Sequence, residues 1–424
     1  MFLLCCNIIL FIFVKNSIMQ KLIERQKRLI KNISLDFKRS LYNNIDWSSR
    51  LIEIRGARGM GKTTIMLQRV KELSIQNINV LYVTLDDPYF FQNSLYDLTD
   101  KFYKYGGTHI FIDEVHRYPS KQKSLDWSVE IKNIYDAYPD LNIVYSGSSI
   151  LAIYKGEGDL SRRKISYLLN GLSFREYLEF KKVISINHFE LNEIISNHES
   201  IADEIVSKIK ILPLFNEYLQ SGFYPFFKET KHTDKFYERL QTVVNLIIEN
   251  DIPSVAEIKY ESIAKLKKLL ALITTSPPYT SDMKSLANQL YISDYKTLLK
   301  LLDFLDKSEL LILLHSKAKE NKIMHKPEKI YINNTNLLYA LNISDISKGT
   351  VRETFFINQL KYLHNIKYPK TCDFLVDDKF LFEIGGKNKT KKQIKKQTNA
   401  FIVTDDIETG FMNKIPLYLF GFLY

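Results

Sequence analysis

Nine consecutive residues, Gly56-Ala57-Arg58-Gly59-Met60-Gly61-Lys62-Thr63-Thr64, carry the plainest chemistry in the sequence. Glycine is scarce, 15 in 424 residues, yet three stand in this run at the spacing G-x-x-x-x-G-K-T. Glycines let backbone N–H groups turn inward around phosphate oxygens, and a helix starting just behind them adds its partial positive end. Lys62 then reaches the β- and γ-phosphates of a nucleotide, and the Thr63 hydroxyl ligates Mg²⁺. Gly56, Arg58, Gly59, Met60, Gly61, Lys62, Thr63 and Thr64 are therefore the expected nucleotide cradle.

Three further sets of side chains bear on the same chemistry. The apolar run 108–112 stops at Asp113-Glu114. A carboxylate at a strand tip can hold the Mg²⁺ shell and the next one can polarise the attacking water, so Asp113 is expected as metal-shell acid and Glu114 as base. The run 141–145 leads into Ser146-Gly147-Ser148-Ser149. A small polar residue at that tip can contact the γ-phosphate or the water, and Ser146 and Ser148 are both candidates. An arginine near the γ-phosphate stabilises transition-state charge, in cis or from a neighbouring copy. Arg162 and Arg163 are the candidates, although adjacent arginines in a loop also read as solvated. Ser148 and Arg163 are carried forward with Glu114 as the catalytic set.

These side chains need elements to hold them. Residues 51–55 read as a short buried strand and 64–70 as the helix after the loop; 79–85, 108–112 and 141–145 read as further strands. Strands alternating with helices predict a parallel α/β sheet whose ligand sits at the strands' C-terminal ends. From Phe174 to about Asn250 the periodicity is helical, without catalytic clusters, as in a small lid that packs on a nucleotide domain and moves with nucleotide state. Pro253 and Pro277-Pro278 punctuate the chain beyond that segment. Three helical patterns, 263–273, 282–290 and 294–305, then precede strands 310–315 and 329–332, an order that spells a winged helix-turn-helix. Its third helix offers Lys296, Lys300 and Lys307 offset by Asp303 and Asp306, a weak phosphate-reading face.

The segments GARGMGKTT, HIFIDEVHRYP, NIVYSGSS, SRRKISYLLNGLSFREYL and FNEYLQSGFYPFF together resemble the bacterial and archaeal AAA+ ATPases that carry a C-terminal restriction-endonuclease-like domain. The resemblance extends over nearly the whole chain from about Gln20. It implies ATP and Mg²⁺ as cofactors, Lys62 and Thr63 as their ligands, Asp113 as metal-shell acid and Glu114 as hydrolytic glutamate. At the C-terminal end, 351–363 reads as a helix carrying Glu353, and 371–376 and 379–384 read as strands joined across Asp377-Asp378 in a tight hairpin. Asp373 and Glu383 face one another along it, placed to share a divalent cation with Glu353, and Lys387 completes a second candidate metal site. This resembles the nuclease pattern of an acid, a strand turn and Glu-x-Lys, with one departure. Gly385 stands where the lysine belongs and the nearest lysine is Lys387, which favours a fold kept for binding or architecture over an intact nuclease.

Composition bounds the rest. Apolar residues make up 45% and charged residues 25% of the chain, which excludes a disordered or collagen-like protein. The formal charge of +11 is uneven: 33 basic against 30 acidic residues up to position 254, and 26 against 18 beyond it. Much of the excess is six lysines between Lys387 and Lys396, which read either as phosphate contacts or as a solvated helix face. Cys5, Cys6 and Cys372 offer no disulfide framework and no metal spacing, as expected for a reducing cytoplasm. The apolar stretch before Met19 is too short to span a membrane and reads as a start-site artefact, with a weak anchor as the alternative. No membrane role is expected.

The predicted organisation is a nucleotide core over 19–172, a helical lid over 173–254, a winged helix over 255–345 and a nuclease-like α/β domain over 346–424. The expected function is Mg²⁺-dependent ATP hydrolysis that drives domain rearrangement. DNA is a candidate partner through the winged helix and Lys387–Lys396, and a second copy of the chain is another. The rival readings are a nucleotide-gated signalling or scaffold ATPase without a nucleic-acid role, and an ATP-regulated metal-dependent nuclease.

Overall fold

The computed structural model describes residues 19–119, 126–148, 160–230, 232–256, 258–275, 277–280, 282–316, 326–342, 346–390 and 397–424. The stretch read as a start-site artefact, together with Ser149, Lys391, Lys392, Lys395 and Lys396, lies outside them. Among the described residues no helix is long and apolar enough to cross a membrane. The chain divides into two compact units, Met1–Leu169 and Asn170–Tyr424.

The first unit runs α1 (19–31), α2 (Ser40–Asn44), β1 (Leu51–Gly56), α3 (Lys62–Ile75), β2 (Val80–Thr84), α4 (Leu95–Lys104), β3 (His109–Asp113), α5 (Trp127–Ala137), β4 (Asn142–Ser148) and β5 (Ile165–Leu168). Its strands form one parallel sheet in the order β2-β3-β4-β1-β5. β1, β3 and β4 lie inside it, so they read as near-continuous apolar runs, and Ile52, Ile54, Ile110, Ile112, Ile143 and Tyr145 are fully buried. β4 therefore lies between the strand that feeds the phosphate loop and the strand that ends in Asp113. β2 is an edge strand, and unpaired edge groups invite foreign strands. Here the Gln26 side chain of α1 closes it, donating to Val80 O at 3.1 Å and accepting from Tyr82 N at 2.7 Å.

Two departures from the expected boundaries bear on the site. α3 starts at Lys62 rather than Thr64, because Gly61 takes φ 96° and turns the chain directly into the helix. β4 continues through Ser146 to Ser148, so the serine tip is strand rather than loop.

In the second unit the helices α6 (Phe174–Phe180), α7 (Leu191–Lys208), α8 (Ile211–Glu217), α9 (Thr233–Leu246) and α10 (Ile252–Val255) come first. Next are α11 (Tyr260–Thr274), β6 (Tyr279–Thr280), α12 (Met283–Gln289), α13 (Tyr295–Lys307), β7 (Leu311–Leu314) and β8 (Lys329–Ile332), whose strands pair antiparallel in the order β6-β8-β7. Asp282 and Asp294 cap α12 and α13, accepting from Ser285 N and Lys296 N at 3.0 Å each. After α14 (Thr335–Leu341) and α15 (Lys348–Leu360) come β9 (Ile366–Lys367), β10 (Phe374–Val376), β11 (Phe380–Gly385), β12 (Ala400–Thr404) and β13 (Lys414–Pro416), a second five-stranded sheet in the order β13-β12-β11-β10-β9. The β10–β11 hairpin turns on Asp377 and Asp378 at φ 52° and 56°, with Val376 paired to Phe380, so three residues rather than two connect the strands and β11 starts one residue later than expected.

The sequence boundaries near 254 and 345 do not separate cores. Ser173 Oγ and Arg175 Nε donate to Tyr424 O at 2.6 and 2.9 Å, and the Phe174 and Phe422 rings meet edge-on at 5.7 Å. Asn336 accepts from Phe223 N at 2.8 Å and donates to Leu219 O at 2.9 Å. The helical segment thus shares its packing with α14, α15 and the last residues of the chain.

Candidate nucleotide site and its neighbours

The loop between β1 and α3 is held from several sides. Gly59 and Gly61 have φ 87° and 96°, where a side chain would be strained. A Cβ on Gly56 would sit 2.4 Å from Leu169 O. The buried Arg39 guanidinium donates to Met60 O at 3.0 Å and supports the loop crest, where Met60 is buried and Arg58 and Gly59 are half-buried. Lys62 is buried, and its Nζ donates to Gly56 O at 2.8 Å and Ala57 O at 3.1 Å, which keeps the ammonium inside the cradle. Thr63 and Thr64 stand exposed on the first turn of α3.

Thr63 and Asp113 converge: Thr63 Oγ1 donates to Asp113 Oδ2 at 2.6 Å. A hydroxyl and a carboxylate at this separation are the hard-oxygen pair that Mg²⁺ takes alongside nucleotide phosphates. Asp113 is buried and further fixed by Tyr82 OH, which donates to Oδ2 at 2.8 Å, and by the Ser146 hydroxyl, which donates to Oδ1. Burial, and then the Asp113 charge, push the Tyr82 phenol far above its ordinary value, so it stays a donor. Glu114 turns the chain at φ 54°, and its N–H donates to Asp113 Oδ1 at 3.0 Å and Ser146 Oγ at 3.3 Å. Its carboxylate lies 3.3 Å from Nε2 of His116, a side chain only 1% exposed.

The two serines separate by register. Ser146 lies opposite Ile54 and is engaged with Asp113, whereas Ser148, one step further on the same face, lies opposite Gly56 at the mouth of the loop. Sequence reasoning missed Tyr82, His116 and Arg39. Tyr82 sits in an apolar run and reads as core; only the strand order brings it beside Asp113.

Arg163 does not join this site within its own unit. It precedes β5, whose Ile165 pairs with Ile52 near the start of β1, so it stands at the strand edge opposite the phosphate loop. There it makes a two-pronged contact with Asp136 on α5 at 3.2 and 3.3 Å. Arg163→Ala is expected to leave the ATPase rate of dilute protein within about twofold, against the thousandfold or more that loss of an arginine finger costs. Steady-state turnover across protein concentrations checks this, and a large loss at every concentration would contradict it.

The second candidate metal site also comes apart. Among the described residues no group of three or more acidic, histidine or cysteine side chains is arranged to hold a metal. Glu383 stands on β11 and Asp373 just ahead of β10, the two strands pairing with Phe374 opposite Phe382. However, Lys329 of β8 lies 3.2 Å from Glu353 Oε2 and 3.7 Å from Asp373 Oδ1. Burial lowers the Lys329 pKa, but the Glu353 and Asp373 charges outweigh it and hold the amine above its ordinary value. Tyr331 OH donates to Glu353 at 2.7 Å and Ile384 N to Asp373 Oδ2 at 2.9 Å, while Glu383 pairs with Lys389. Lys387 is replaced in its expected role by Lys389, and its carbonyl instead accepts from Lys414 at 2.6 Å. The carboxylates are neutralised by lysines rather than gathered for a cation. Supercoiled DNA incubated with the protein and Mn²⁺ is therefore expected to stay uncut, and nicking that Glu383→Ala abolishes would overturn this.

Residues 48–178 match the model of a family described as AAA domain, and residues 212–348 match one described as a domain of unknown function. The uncharacterized protein MJ1637 of Methanocaldococcus jannaschii is 29% identical, the match covering 85% of this chain and 80% of that one. Among solved structures, the Walker-type ATPase Paby2304 of Pyrococcus abyssi aligns over 72% of this chain and 95% of its own at 14% identity and a TM-score of 0.41. The Orc1 protein of Aeropyrum pernix in complex with DNA aligns over 74% and 90% at 10% identity and a TM-score of 0.29. Residues 48–178 are thus similar to AAA domains, a match that takes in the five-stranded parallel sheet and its phosphate loop.

Proposed function

We propose that the first unit binds ATP with Mg²⁺ and hydrolyses it. The observation that supports this most is the approach of Thr63 Oγ1 to Asp113 Oδ2 directly beneath a glycine-turned loop that holds Lys62. The donor set fits the cofactor: backbone N–H groups and an ammonium for phosphate oxygens, a hydroxyl and a carboxylate for a hard cation. Bound Mg²⁺ would neutralise charge on the β- and γ-phosphates. Lys62 orients those phosphates, Glu114 accepts the proton of the attacking water, and Ser148, opposite Gly56 in the register, is the candidate contact for the γ-phosphate. The test is ATP turnover in Lys62→Ala and Glu114→Gln.

We propose in addition that hydrolysis is used on DNA. The order α11-β6-α12-α13-β7-β8 is that of a winged helix, and Lys296 and Lys300 are exposed on α13. Lys307 is engaged with Asp303 at 2.9 Å, so the reading face is short. Two lysines predict a salt slope of about −2 on a log–log plot. Neutralising Lys296 and Lys300 should flatten it; a slope unchanged by that substitution, or no binding at all, favours the scaffold reading.

A further inference from the structure

The sequence assigns His116 no role, and its neighbourhood gives it one. It stands two residues past Glu114 on the short turn Val115–Arg117, and its side chain is 1% exposed where that of Glu114 is 24% exposed. A histidine so deeply buried is usually placed by packing, yet this ring brings Nε2 to 3.3 Å from Glu114 Oε2. The backbone is over-determined at the same point. Glu114 adopts φ 54°, uncommon for a residue with a side chain, and its N–H is held by Asp113 and Ser146. The main chain of Glu114 is thus fixed from β3 and β4, and one oxygen of its carboxylate lies within ion-pair distance of a buried imidazole.

We infer that His116 is a positioning residue for hydrolysis: it anchors one carboxylate oxygen of Glu114 so that the other faces the attacking water. This rests on the reading of the site as an ATPase in which Glu114 is the base. A glutamate side chain left to itself samples several rotamers, and a base is effective only within hydrogen-bond reach of the proton it takes. One buried partner on one oxygen removes most of that freedom. The imidazole side chain is 1% exposed and meets Glu114, so its effect is expected on the chemical step and not on ATP affinity.

The experiment compares wild type, His116→Leu, His116→Gln, Glu114→Gln and the pair His116→Leu/Glu114→Gln, with Lys62→Ala as control. It measures kcat, KM for MgATP, affinity for a non-hydrolysable ATP analogue, and melting temperature. His116→Leu should lower kcat about tenfold with KM and analogue affinity within about twofold, as expected when only transition-state positioning is lost. His116→Gln, which can still donate to Glu114, should recover most of the rate. In the Glu114→Gln background His116→Leu should change nothing further, since the two act as one unit. Wild-type kcat in His116→Leu, or a loss that Gln does not recover, overturns the inference while leaving the ATPase intact. Turnover that is absent from wild type or survives Lys62→Ala overturns the ATPase reading itself, and the inference with it.

Discussion

Lys62→Ala is expected to lower MgATP turnover at least about a hundredfold, because it removes the ammonium that the loop encloses. Lys62 is buried and donates to Gly56 O and Ala57 O, so it is poised inside the cradle rather than recruited from solvent. Its loss should also weaken nucleotide binding, since the cation contacts phosphate oxygens before and during reaction. Lys62→Arg should rescue little, as a planar guanidinium does not replace a compact ammonium between two loop carbonyls. Isothermal titration with MgATP and steady-state phosphate release measure both effects; wild-type values for both would remove the loop from the account.

The second large effect is on stability. Glu53 of β1 is fully buried and meets Lys164 Nζ at 3.0 Å, Arg55 Nε at 3.2 Å and the Ser166 hydroxyl. Ser166 lies directly opposite Glu53 in the β1–β5 register, so the cluster ties the strand that feeds the phosphate loop to its edge neighbour. The Lys164 side chain is 7% exposed. Glu53→Ala removes the carboxylate that this ammonium meets, and breaking a buried pair from one side costs roughly 3–5 kcal/mol. For a unit of this size the melting temperature should fall on the order of 10 °C. Replacing both partners, as Glu53→Leu with Lys164→Met, should recover part of the loss, because the buried ammonium goes with the carboxylate while Arg55, whose side chain is 29% exposed, loses its partner but can reach solvent. Calorimetry of the three proteins decides the matter: equal losses in single and double variants would show that the cluster is not what holds β5.

The chemistry written as local runs is legible in the sequence. Gly56 to Thr63 is one continuous run, and Asp113-Glu114 ends one apolar strand, so spacing alone names both. The tight hairpin at Asp377-Asp378 is legible for the same reason, although its connection takes in Lys379 as a third residue. What escapes is whatever depends on strand order. Tyr82 and Ser146 reach Asp113 only because β2 and β4 flank β3, and both sit in segments that read as core or tip. Arg163 reads as belonging to the phosphate end because a basic turn shows no sign of which sheet edge it occupies; the pairing of Ile165 with Ile52 decides that. Glu353, Asp373 and Glu383 suggest a cation site through their own spacing. One neutralising lysine comes from β8, which nothing in the sequence places beside them, and the other is Lys389 rather than the expected Lys387.

The most direct measurement compares ATP binding and ATP turnover in Glu114→Gln. The amide keeps the size and the contacts of the carboxylate but cannot accept the proton, so a loss of about a hundredfold or more in kcat is expected at near-wild-type affinity. Binding and turnover falling together, or turnover persisting, would contradict the assignment of Glu114 as the base of an ATP-hydrolysing site.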